Sequence, residues 1–298
     1  MDGQLIDGKE IAGEVRSEVA SEVEELRDRG TVPGLAVFLL GDDPASKSYV
    51  RMKTRDCEEV GIDTRDFFLP AETSQDELES RIDEMNEDPS VHGILVQLPL
   101  PDHVDERAIT ERIDPARDVD GFHPVNVGRL AKGDADAFRP ATPAGIQEML
   151  SRIGYDPEGE RAVIVGRSNL VGRPMASLLL RKAAGGNATV TVAHSRTRDL
   201  GSVTREADLL IVAVGRPGTV DADMVSEGTV VVDVGVNRVD DPDREKGYRL
   251  VGDVAFDEVR EKASWITPVP GGVGPMTRAM LLDNTVLAAR RNAGSSDA

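Results

Sequence analysis

The sequence has few features that would anchor or cross-link a protein. Among its 298 residues there is a single cysteine, Cys57, so no internal disulfide is possible, as is usual in a reducing compartment such as the cytoplasm. No stretch approaches the ~20 apolar residues that span a bilayer, and the first residues lack the apolar segment of a signal peptide. We therefore expect a cytoplasmic protein with no membrane partner.

Basic residues are also scarce. Asp and Glu number 54 against 35 Lys and Arg, which gives a formal net charge of −19, and only seven of the basic residues are lysines. Nucleic acid is not an expected partner, because phosphate binding needs a basic face. This composition is typical of proteins from extreme halophiles, since at ~1 M salt the Debye length is ~3 Å and self-repulsion is screened. An ordinary acidic protein is the alternative.

Length and pattern predict two domains of α/β type with parallel sheets, because strand-like apolar runs alternate with helical periodicity. The Asp-, Gly- and Pro-rich segment 114–143 is expected to be loops and a connection. A second alternating set begins at Arg161 and closes with a helix near 277–289. The elements predicted in the first set are a helix over 8–29, a strand over 35–40, a helix from its capping residue Ser46 to Val60, a strand over 66–69 and a helix over 74–86.

A strand, a glycine turn and a helix follow one another in RAVIVGRSNLVGRP, residues 161–174. Gly166 ends the strand where a tight turn must start, Gly172 would permit close approach of backbone and ligand, and Pro174 suits a first helical turn. A helix N-terminus directed at a pyrophosphate is a common dinucleotide site. The glycine spacing is not G-x-G-x-x-G, so a plain strand-to-helix turn stays open, but the strand–helix–strand context favours a dinucleotide.

The end of the next strand indicates which dinucleotide to expect. NAD sites usually place a carboxylate there for the ribose 2′-hydroxyl, but here Ser195 and Arg196 stand in that place. Arg196 or Arg167 could pair with a 2′-phosphate, which favours NADP, unless both side chains only face solvent. The strand VVVDVGVN also ends in glycine, so Val236 could contact the nicotinamide or its ribose, or be an ordinary strand-end residue.

Tyr49 and Lys53 are four residues apart on a predicted helix and therefore share one face. An aromatic ring beside an amine suits a flat heteroaromatic ligand with chemistry at its edge. A pocket can lower the pKa of a lysine from ~10.4 and so give an acid/base group near neutrality. The spacing alone favours a solvated helix face. No metal is expected, because the four histidines have no ligand spacing: His92, His103, His123 and His194.

Five motifs then occur in a fixed order: GDDPASKSYVRMK at 41–53, GILVQLPLP at 93–101, DVDGF at 118–122, GRS at 166–168 and PVPGGVGPMT at 268–277. Together they closely resemble the bifunctional methylenetetrahydrofolate dehydrogenase/cyclohydrolase family, from the first residues to about residue 289. VQLPLP and PGGVGPMT are signatures of high specificity.

The resemblance implies a folate-binding catalytic domain over 1–140 together with a C-terminal helix over 277–298. It implies a Rossmann-like NADP-binding domain over 141–276, with the active cleft between the domains, and a homodimer paired through the Rossmann lobes. The implied enzyme oxidises 5,10-methylenetetrahydrofolate to 5,10-methenyltetrahydrofolate with NADP. It then hydrolyses that product to 10-formyltetrahydrofolate.

The resemblance also implies residue roles. Lys53 is the principal catalytic residue, Tyr49 stacks on the folate ring system, Gln97 hydrogen-bonds near Lys53 and tunes it, and Asp120 binds the polar edge of the pterin. Further positions on the folate side are Leu98, Pro270, Gly271 and Gly274. The cofactor positions are Gly166, Arg167, Ser168, Ser195 and Val236, to which Arg196 is added by the charge argument above. Arg278 follows the last motif where many members carry Ile or Val, and it is expected to face outward.

Three alternatives stay open on sequence grounds. The chain could be a monofunctional member of the same family, because one cleft serves both activities. It could be a dehydrogenase of another Rossmann family, acting on an amino acid or a shikimate-like acid. It could also be a non-catalytic NADP-sensing or folate-binding protein, which the presence of both Lys53 and Gln97 disfavours.

Overall fold

The protein is described by a computed structural model that covers residues 3–244 and 247–295. Residues 296–298 of the predicted C-terminal helix lie outside the described residues. The described helices are α1 (Gly8–Asp28), α2 (Pro44–Val60), α3 (Gln75–Glu87), α4 (Glu106–Arg112), α5 (Pro124–Lys132), α6 (Ala141–Arg152), α7 (Gly172–Leu180), α8 (Leu200–Thr204), α9 (Phe256–Arg260) and α10 (Val273–Ser295). The described strands are β1 (Gln4–Leu5), β2 (Gly34–Leu40), β3 (Asp63–Leu69), β4 (Gly93–Val96), β5 (Arg161–Val165), β6 (Thr189–Ala193), β7 (Leu209–Val212), β8 (Val230–Asp233), β9 (Asn237–Asp240), β10 (Tyr248–Val251) and β11 (Trp265–Ile266).

The chain divides into two compact units. The three-stranded unit comprises Gly13–Arg129, Ala135–Ala141 and Arg278–Ala298. The six-stranded unit comprises Met1–Ala12, Leu130–Asp134 and Thr142–Thr277. Each unit is named after its main sheet.

The three-stranded unit contains a parallel sheet with the strand order β3-β2-β4. All seven residues of the central strand β2 are buried, which requires cover on both faces of the sheet. One face packs Phe38 against Leu78 and Ile82 of α3. The predicted parallel βαβαβ arrangement is therefore confirmed in this unit.

Helix α2 begins three residues earlier than the sequence predicts. Its cap is Asp43, whose Oδ2 accepts the backbone N–H of Ser46 at 2.7 Å, and Pro44 occupies the first turn. The prediction that Ser46 caps the helix is wrong, because the carboxylate three residues earlier takes that role. The helix closes at Gly61, in the left-handed conformation at φ +84°.

The prediction of loops over 114–143 is wrong in part. Helix α5 lies within this segment and α6 begins at Ala141, near its end. Pro124 is the first residue of α5, and Gly133, at φ +79°, follows its last residue. Leu130 and Asn126 are buried and four residues apart, so one face of the helix is packed. The helix forms because tertiary burial outweighs a loop-like composition.

The six-stranded unit is built on a parallel sheet with the strand order β1-β11-β8-β7-β5-β6. From β5 the chain crosses to β6 on one side, and β7 then pairs on the other side of β5. This change of direction is a topological switch point, at which ligands of open α/β sheets bind. The expected Rossmann-like fold is confirmed.

Two features of the fold were not predicted. Strands β9 and β10 form an antiparallel hairpin in which Asn237 is opposite Val251. The final helix α10 begins at Val273, four residues before its predicted start. Among the described residues, no helix is both long and apolar enough to cross a membrane.

Candidate active site

Lys53 lies on α2 and is only 8% exposed. Its Nζ donates a hydrogen bond of 3.0 Å to Oε1 of Gln97 and lies 5.8 Å from the centroid of the Tyr49 ring. Tyr49 is 39% exposed, so its ring borders the buried amine and still faces solvent. The helix thus brings a partly exposed aromatic surface and a buried amine together, so Lys53 does not lie on a solvated helix face.

Both the backbone and the side chain of Gln97 are fixed by hydrogen bonds to backbone carbonyl groups. It follows β4 directly, and its backbone N–H donates to the carbonyl of Phe38 at 2.8 Å. Its Nε2 donates to the carbonyl oxygen of Leu98 at 2.8 Å. Because the amide nitrogen is engaged there, Oε1 faces Lys53 as an acceptor.

The loop that carries Asp120 is fixed by hydrogen bonds to the two residues before it, Asp118 and Val119. The buried Asp118 carboxylate accepts the N–H of His123 at 2.8 Å and also the side-chain amide of Asn126 at 2.8 Å. Asn284 of α10 donates to the carbonyl of Val119 at 2.7 Å. These contacts fix the loop, and the sequence argument did not identify Asn284 or Asn126 because neither belongs to a motif.

Lys53 and Asp120 influence each other's ionisation. Burial lowers the pKa of Lys53, against the opposing effects of Asp120 and Cys57. Burial raises the pKa of Asp120 to about 6, with Lys53 acting to lower it and Asp118 to raise it. Both groups therefore titrate closer to neutrality than they would in water, which is usual for acid/base groups at functional sites.

The prediction that Arg278 faces outward is wrong. Its Nη1 lies 3.1 Å from Oδ2 of Asp56, and the Asp56 side chain is only 9% exposed. Burial raises the pKa of Asp56, and Arg278 acts to lower it. The arginine turns inward because a buried carboxylate one turn beyond Lys53 needs a counter-charge.

The glycine turn after β5 leaves no room for side chains. Gly166 has φ +131°, and a Cβ there would overlap with the carbonyl oxygen of Ala213 beside it. A Cβ on Gly172 would overlap with the carbonyl of Gly166, so its close approach is to the turn itself. Helix α7 starts at Gly172, and Val171 before it provides no side-chain cap. In the first turn of α7, the N–H of Arg173 donates to the carbonyl of Ser168 at 3.1 Å and Pro174 has no N–H, so Gly172 carries the amide of this turn that could face an anion.

The predicted cofactor residues follow β5, β6 and β8 at the carboxyl edge of this sheet, in which β7 lies between β5 and β8. Exposed residues after β5 and β6 are Arg167, Ser168, Ser195 and Arg196. Val236, after β8, is 59% exposed. This donor set, with its cationic side chains, hydroxyls and amides, fits the phosphates and ribose of a dinucleotide, and it has no carboxylate at the end of β6.

Three of the four remaining predicted folate positions, Pro270, Gly271 and Gly274, belong to the six-stranded unit. Gly271 has φ +113°, and the N–H of Gly272 donates to the carbonyl of Pro268 at 2.8 Å, so Pro270 and Gly271 form a tight turn. Gly274 lies in the first turn of α10, with open space where a Cβ would be. Leu98, by contrast, lies in the three-stranded unit beside Gln97. In the described part of the chain, no group of three or more His, Cys, Asp or Glu side chains could hold a metal ion.

A Rossmann-like sheet with a glycine turn at its switch point, together with a buried lysine beside a tyrosine, defines the class of two-unit α/β enzymes that use a nicotinamide dinucleotide. Residues 6–120 match the catalytic domain of tetrahydrofolate dehydrogenase/cyclohydrolase, and residues 140–293 match the NAD(P)-binding domain of the same proteins. The chain belongs to the tetrahydrofolate dehydrogenase/cyclohydrolase family.

Similar proteins extend over the whole chain. The bifunctional protein FolD of Salinibacter ruber is 58% identical, with 99% of this chain and 98% of the relative covered. The crystal structure of the bifunctional dehydrogenase/cyclohydrolase FolD from Campylobacter jejuni has a TM-score of 0.92 at 50% identity, covering 97% of this chain and 99% of the other. A structure of the Trypanosoma brucei dehydrogenase-cyclohydrolase, complexed with NADP cofactor and inhibitor, has a TM-score of 0.92 at 39% identity, covering 100% of both chains.

Proposed function

We propose that this chain oxidises 5,10-methylenetetrahydrofolate to 5,10-methenyltetrahydrofolate with NADP and then hydrolyses the product to 10-formyltetrahydrofolate. The observation that carries the proposal is the buried amine of Lys53, hydrogen-bonded to Gln97 at 3.0 Å and bordered by the ring of Tyr49. Membership of the family supports it. So do the relatives, which this chain matches over nearly all of their length and of which the Campylobacter jejuni enzyme is named for both activities.

The folate is bound by an aromatic face and a carboxylate. The half-exposed ring of Tyr49 offers a flat surface on which the folate ring system can stack. Asp120 can accept hydrogen bonds from the N–H groups at the polar edge of a pterin when it is ionised. The roles predicted for Leu98, Pro270, Gly271 and Gly274 on the folate side stay predictions.

The oxidation step needs positioning more than proton transfer. Bound NADP supplies the acceptor for the hydride that leaves the one-carbon bridge. Tyr49 and Asp120 hold the folate ring so that the bridge carbon has a single orientation. Because the amine of Lys53 is buried and its pKa is lowered, it opposes the cationic methenyl product less than an ordinary lysine would.

The hydrolysis step needs an activated water. Burial favours the unprotonated amine of Lys53. In that form it can take a proton from a water that attacks the methenyl carbon, while its own N–H stays directed at Oε1 of Gln97. The bond between the bridge carbon and one ring nitrogen then breaks: the same proton is returned to that nitrogen, and the hydroxyl on the carbon loses its remaining proton to solvent as it becomes the carbonyl of the 10-formyl product. Gln97 keeps the amine oriented through both transfers, since its own amide is fixed by Leu98.

The preference for NADP over NAD is supported by the end of β6. Ser195 and Arg196 stand there in place of a carboxylate, and Arg167 lies in the glycine turn after β5. Two cationic side chains and a hydroxyl suit a 2′-phosphate, which a carboxylate at that position would repel.

A spectrophotometric assay with methylenetetrahydrofolate tests the proposal. We expect methenyl product to appear with NADP, faster than with NAD, and then to disappear faster than in a blank without protein. Oxidation without accelerated hydrolysis would leave a monofunctional dehydrogenase, and hydrolysis without oxidation a monofunctional cyclohydrolase. No turnover of either folate would refute the function.

We also infer a homodimer that works at high salt in the cytoplasm. Among the described residues, β6 is an edge strand whose outer side is unpaired, and Val192 on it is exposed, which supports pairing with a second copy. The net charge of −19 supports a salt requirement, and the free, buried Cys57 suits a reducing compartment. Sedimentation should give twice the chain mass, and activity should fall below molar salt. A monomer, or full activity in dilute buffer, would contradict the respective inference.

A further inference from the structure

One buried carboxylate in the six-stranded unit holds the loop that follows β7. Asp253 is 0% exposed and lies between β10 and α9. Its side chain accepts the backbone N–H of Val214 at 2.7 Å, of Gly215 at 2.9 Å and of Arg216 at 2.8 Å. Three successive amides of one loop therefore converge on a single anion, an arrangement in which each hydrogen bond is charge-assisted.

The same carboxylate also reaches the loop that follows β8. Nδ2 of Asn237 donates to Oδ1 of Asp253 at 2.9 Å. Asn237 is the first residue of β9 and directly follows Val236, whose side chain is mostly exposed. Asp253 thus joins the loop after β7 to the residue that ends the loop after β8.

A second buried carboxylate fixes the backbone of the first. Asp233, the last residue of β8, accepts the N–H of Asp253 at 2.9 Å, of Val254 at 3.0 Å and of Gly235 at 3.0 Å. Asp253 therefore has little freedom to move away from the loops that it holds.

Two glycines, Gly252 and Gly235, make room for these carboxylates because they have no side chain. A Cβ on Gly252 would overlap with the Asp233 carboxylate, and a Cβ on Gly235 would overlap with that of Asp253. The glycines of the segments DVGVN and VGDV are therefore explained by the two acids that pack against them.

Both loops lie at the carboxyl edge of the parallel sheet. The loop after β7 borders the switch point between β5 and β7, where the carbonyl of Ala213 touches Gly166 of the glycine turn. A dinucleotide bound at this edge has to pass over the loops after β5, β7 and β8. Backbone held in this way keeps its shape before the ligand arrives, which lowers the ordering cost of binding.

We propose that Asp253 is the positioning residue of the dinucleotide site: its carboxylate holds the Val214–Arg216 loop and, through Asn237, the loop that carries Val236, in the form that binds the nicotinamide half of NADP. The proposal rests on the proposed function, because it assigns the site to NADP. It makes one distinctive claim, that losing Asp253 affects the oxidation and spares the hydrolysis, since hydrolysis of the methenyl folate consumes no dinucleotide.

The test is Asp253→Asn, which keeps the size of the side chain. It replaces one carboxylate oxygen, which accepts hydrogen bonds, with an amide NH2 group, which cannot accept them from the N–H donors that face it. We expect kcat/KM for NADP to fall about 10- to 100-fold, the loss typical of charge-assisted hydrogen bonds, with hydrolysis of methenyltetrahydrofolate within twofold of wild type. The matched control is Asp257→Asn, an exposed carboxylate four residues away, which should change neither rate. Because hydrolysis is measured on the same preparation, it also reports whether the variant is folded.

If Asp253→Asn does not fold, Asn237→Ala is the second variant. It removes the hydrogen bond that links Asp253 to the loop after β8, together with a longer one of 3.4 Å to the carbonyl of Val251. We then expect the KM for NADP to rise about three- to tenfold, the scale of one lost hydrogen bond, which is a smaller effect than that expected for Asp253→Asn. Hydrolysis should again be unaffected. Equal loss of both activities, or an unchanged kcat/KM for NADP in the folded variants, would overturn the proposal. Failure of the proposed function itself looks different, because wild type would then oxidise no methylenetetrahydrofolate.

Discussion

The amine of Lys53 and the amide oxygen of Gln97 are joined by a hydrogen bond of 3.0 Å, although the residues are 44 positions apart in the chain. Lys53 lies on α2, and Gln97 comes directly after β4. The parallel order β3-β2-β4 brings the two segments together, and the carbonyl of Leu98 fixes the amide of Gln97. The site therefore depends on the sheet order as much as on the residue types.

The pH dependence of folate use should follow Asp120. Its pKa is raised to about 6, so the carboxylate is ionised above that pH and protonated below it. We expect kcat/KM for methylenetetrahydrofolate to fall as the pH drops from 7 to 5, because the protonated acid loses acceptor capacity towards the pterin. Asp120→Asn should lower kcat/KM and remove this acidic limb.

The control for that profile is Asp102→Asn, an exposed carboxylate in the same unit, which should keep the wild-type limb. A profile that is unchanged in Asp120→Asn would show that another group titrates in this range.

Stability should depend on the pair formed by Asp56 and Arg278. Arg278→Ala leaves the buried carboxylate without its partner, and we expect a loss of about 3 kcal/mol in the free energy of unfolding, measured by urea denaturation at fixed salt. The double variant Asp56→Ala with Arg278→Val should recover most of that loss, since replacing both charges removes the unpaired one. If the double variant is no more stable than Arg278→Ala, the unpaired Asp56 carboxylate is not the cause of the lost stability.

The glycine turn should tolerate no side chain at residue 166. Gly166→Ala would place a methyl group on the carbonyl of Ala213 in a backbone conformation that favours glycine. We expect NADP binding, followed by calorimetry, to be lost, with methenyl hydrolysis retained. Gly128→Ala is the matched control, because a Cβ there meets open space within α5, and it should bind NADP normally. Normal binding by Gly166→Ala would contradict the assigned site.

Cofactor preference should depend on Arg196. We expect Arg196→Ala to reduce the ratio of kcat/KM for NADP to that for NAD about 10- to 100-fold, because the 2′-phosphate loses a charge-assisted contact that NAD never makes. Arg198→Ala, an exposed arginine two residues further along, is the control and should leave the ratio unchanged. Both variants are to be compared at one salt concentration, since ionic contacts weaken as salt rises. If Arg196→Ala has the same ratio of kcat/KM for NADP to that for NAD as Arg198→Ala, the selectivity depends on another residue.

Much of the fold follows from local pattern. The buried strand β2 and the helix α1 were predictable, because long apolar runs and helical spacing are strong signals. Helix α5 was missed, although Pro124 at its first position and Gly133 after its last residue are ordinary boundary residues that could have indicated it. The hairpin of β9 and β10 was missed because each strand has only four residues and none of them is fully buried, so neither gives a strong apolar signal.

The candidate site was predictable only where a motif carries its residues. Lys53 and Tyr49 were found because they belong to the motif GDDPASKSYVRMK, whereas Asp253 and Asn284 act through contacts between distant segments. Arg278 was placed wrongly because its partner, Asp56, lies more than two hundred residues earlier, and no local signal reports such a pair. Long-range contacts of this kind are decided by tertiary packing and not by spacing.

The most direct test of the account is the hydrolysis of methenyltetrahydrofolate by Lys53→Met, measured alongside its affinity for NADP. Lys47→Met on the same helix serves as the control, because Lys47 pairs with Asp42 at 2.5 Å away from Gln97. We predict that hydrolysis by Lys53→Met falls at least about 100-fold, the usual scale of a lost acid/base group, while NADP binds with unchanged affinity. Hydrolysis at the wild-type rate in a folded Lys53→Met protein would contradict the account.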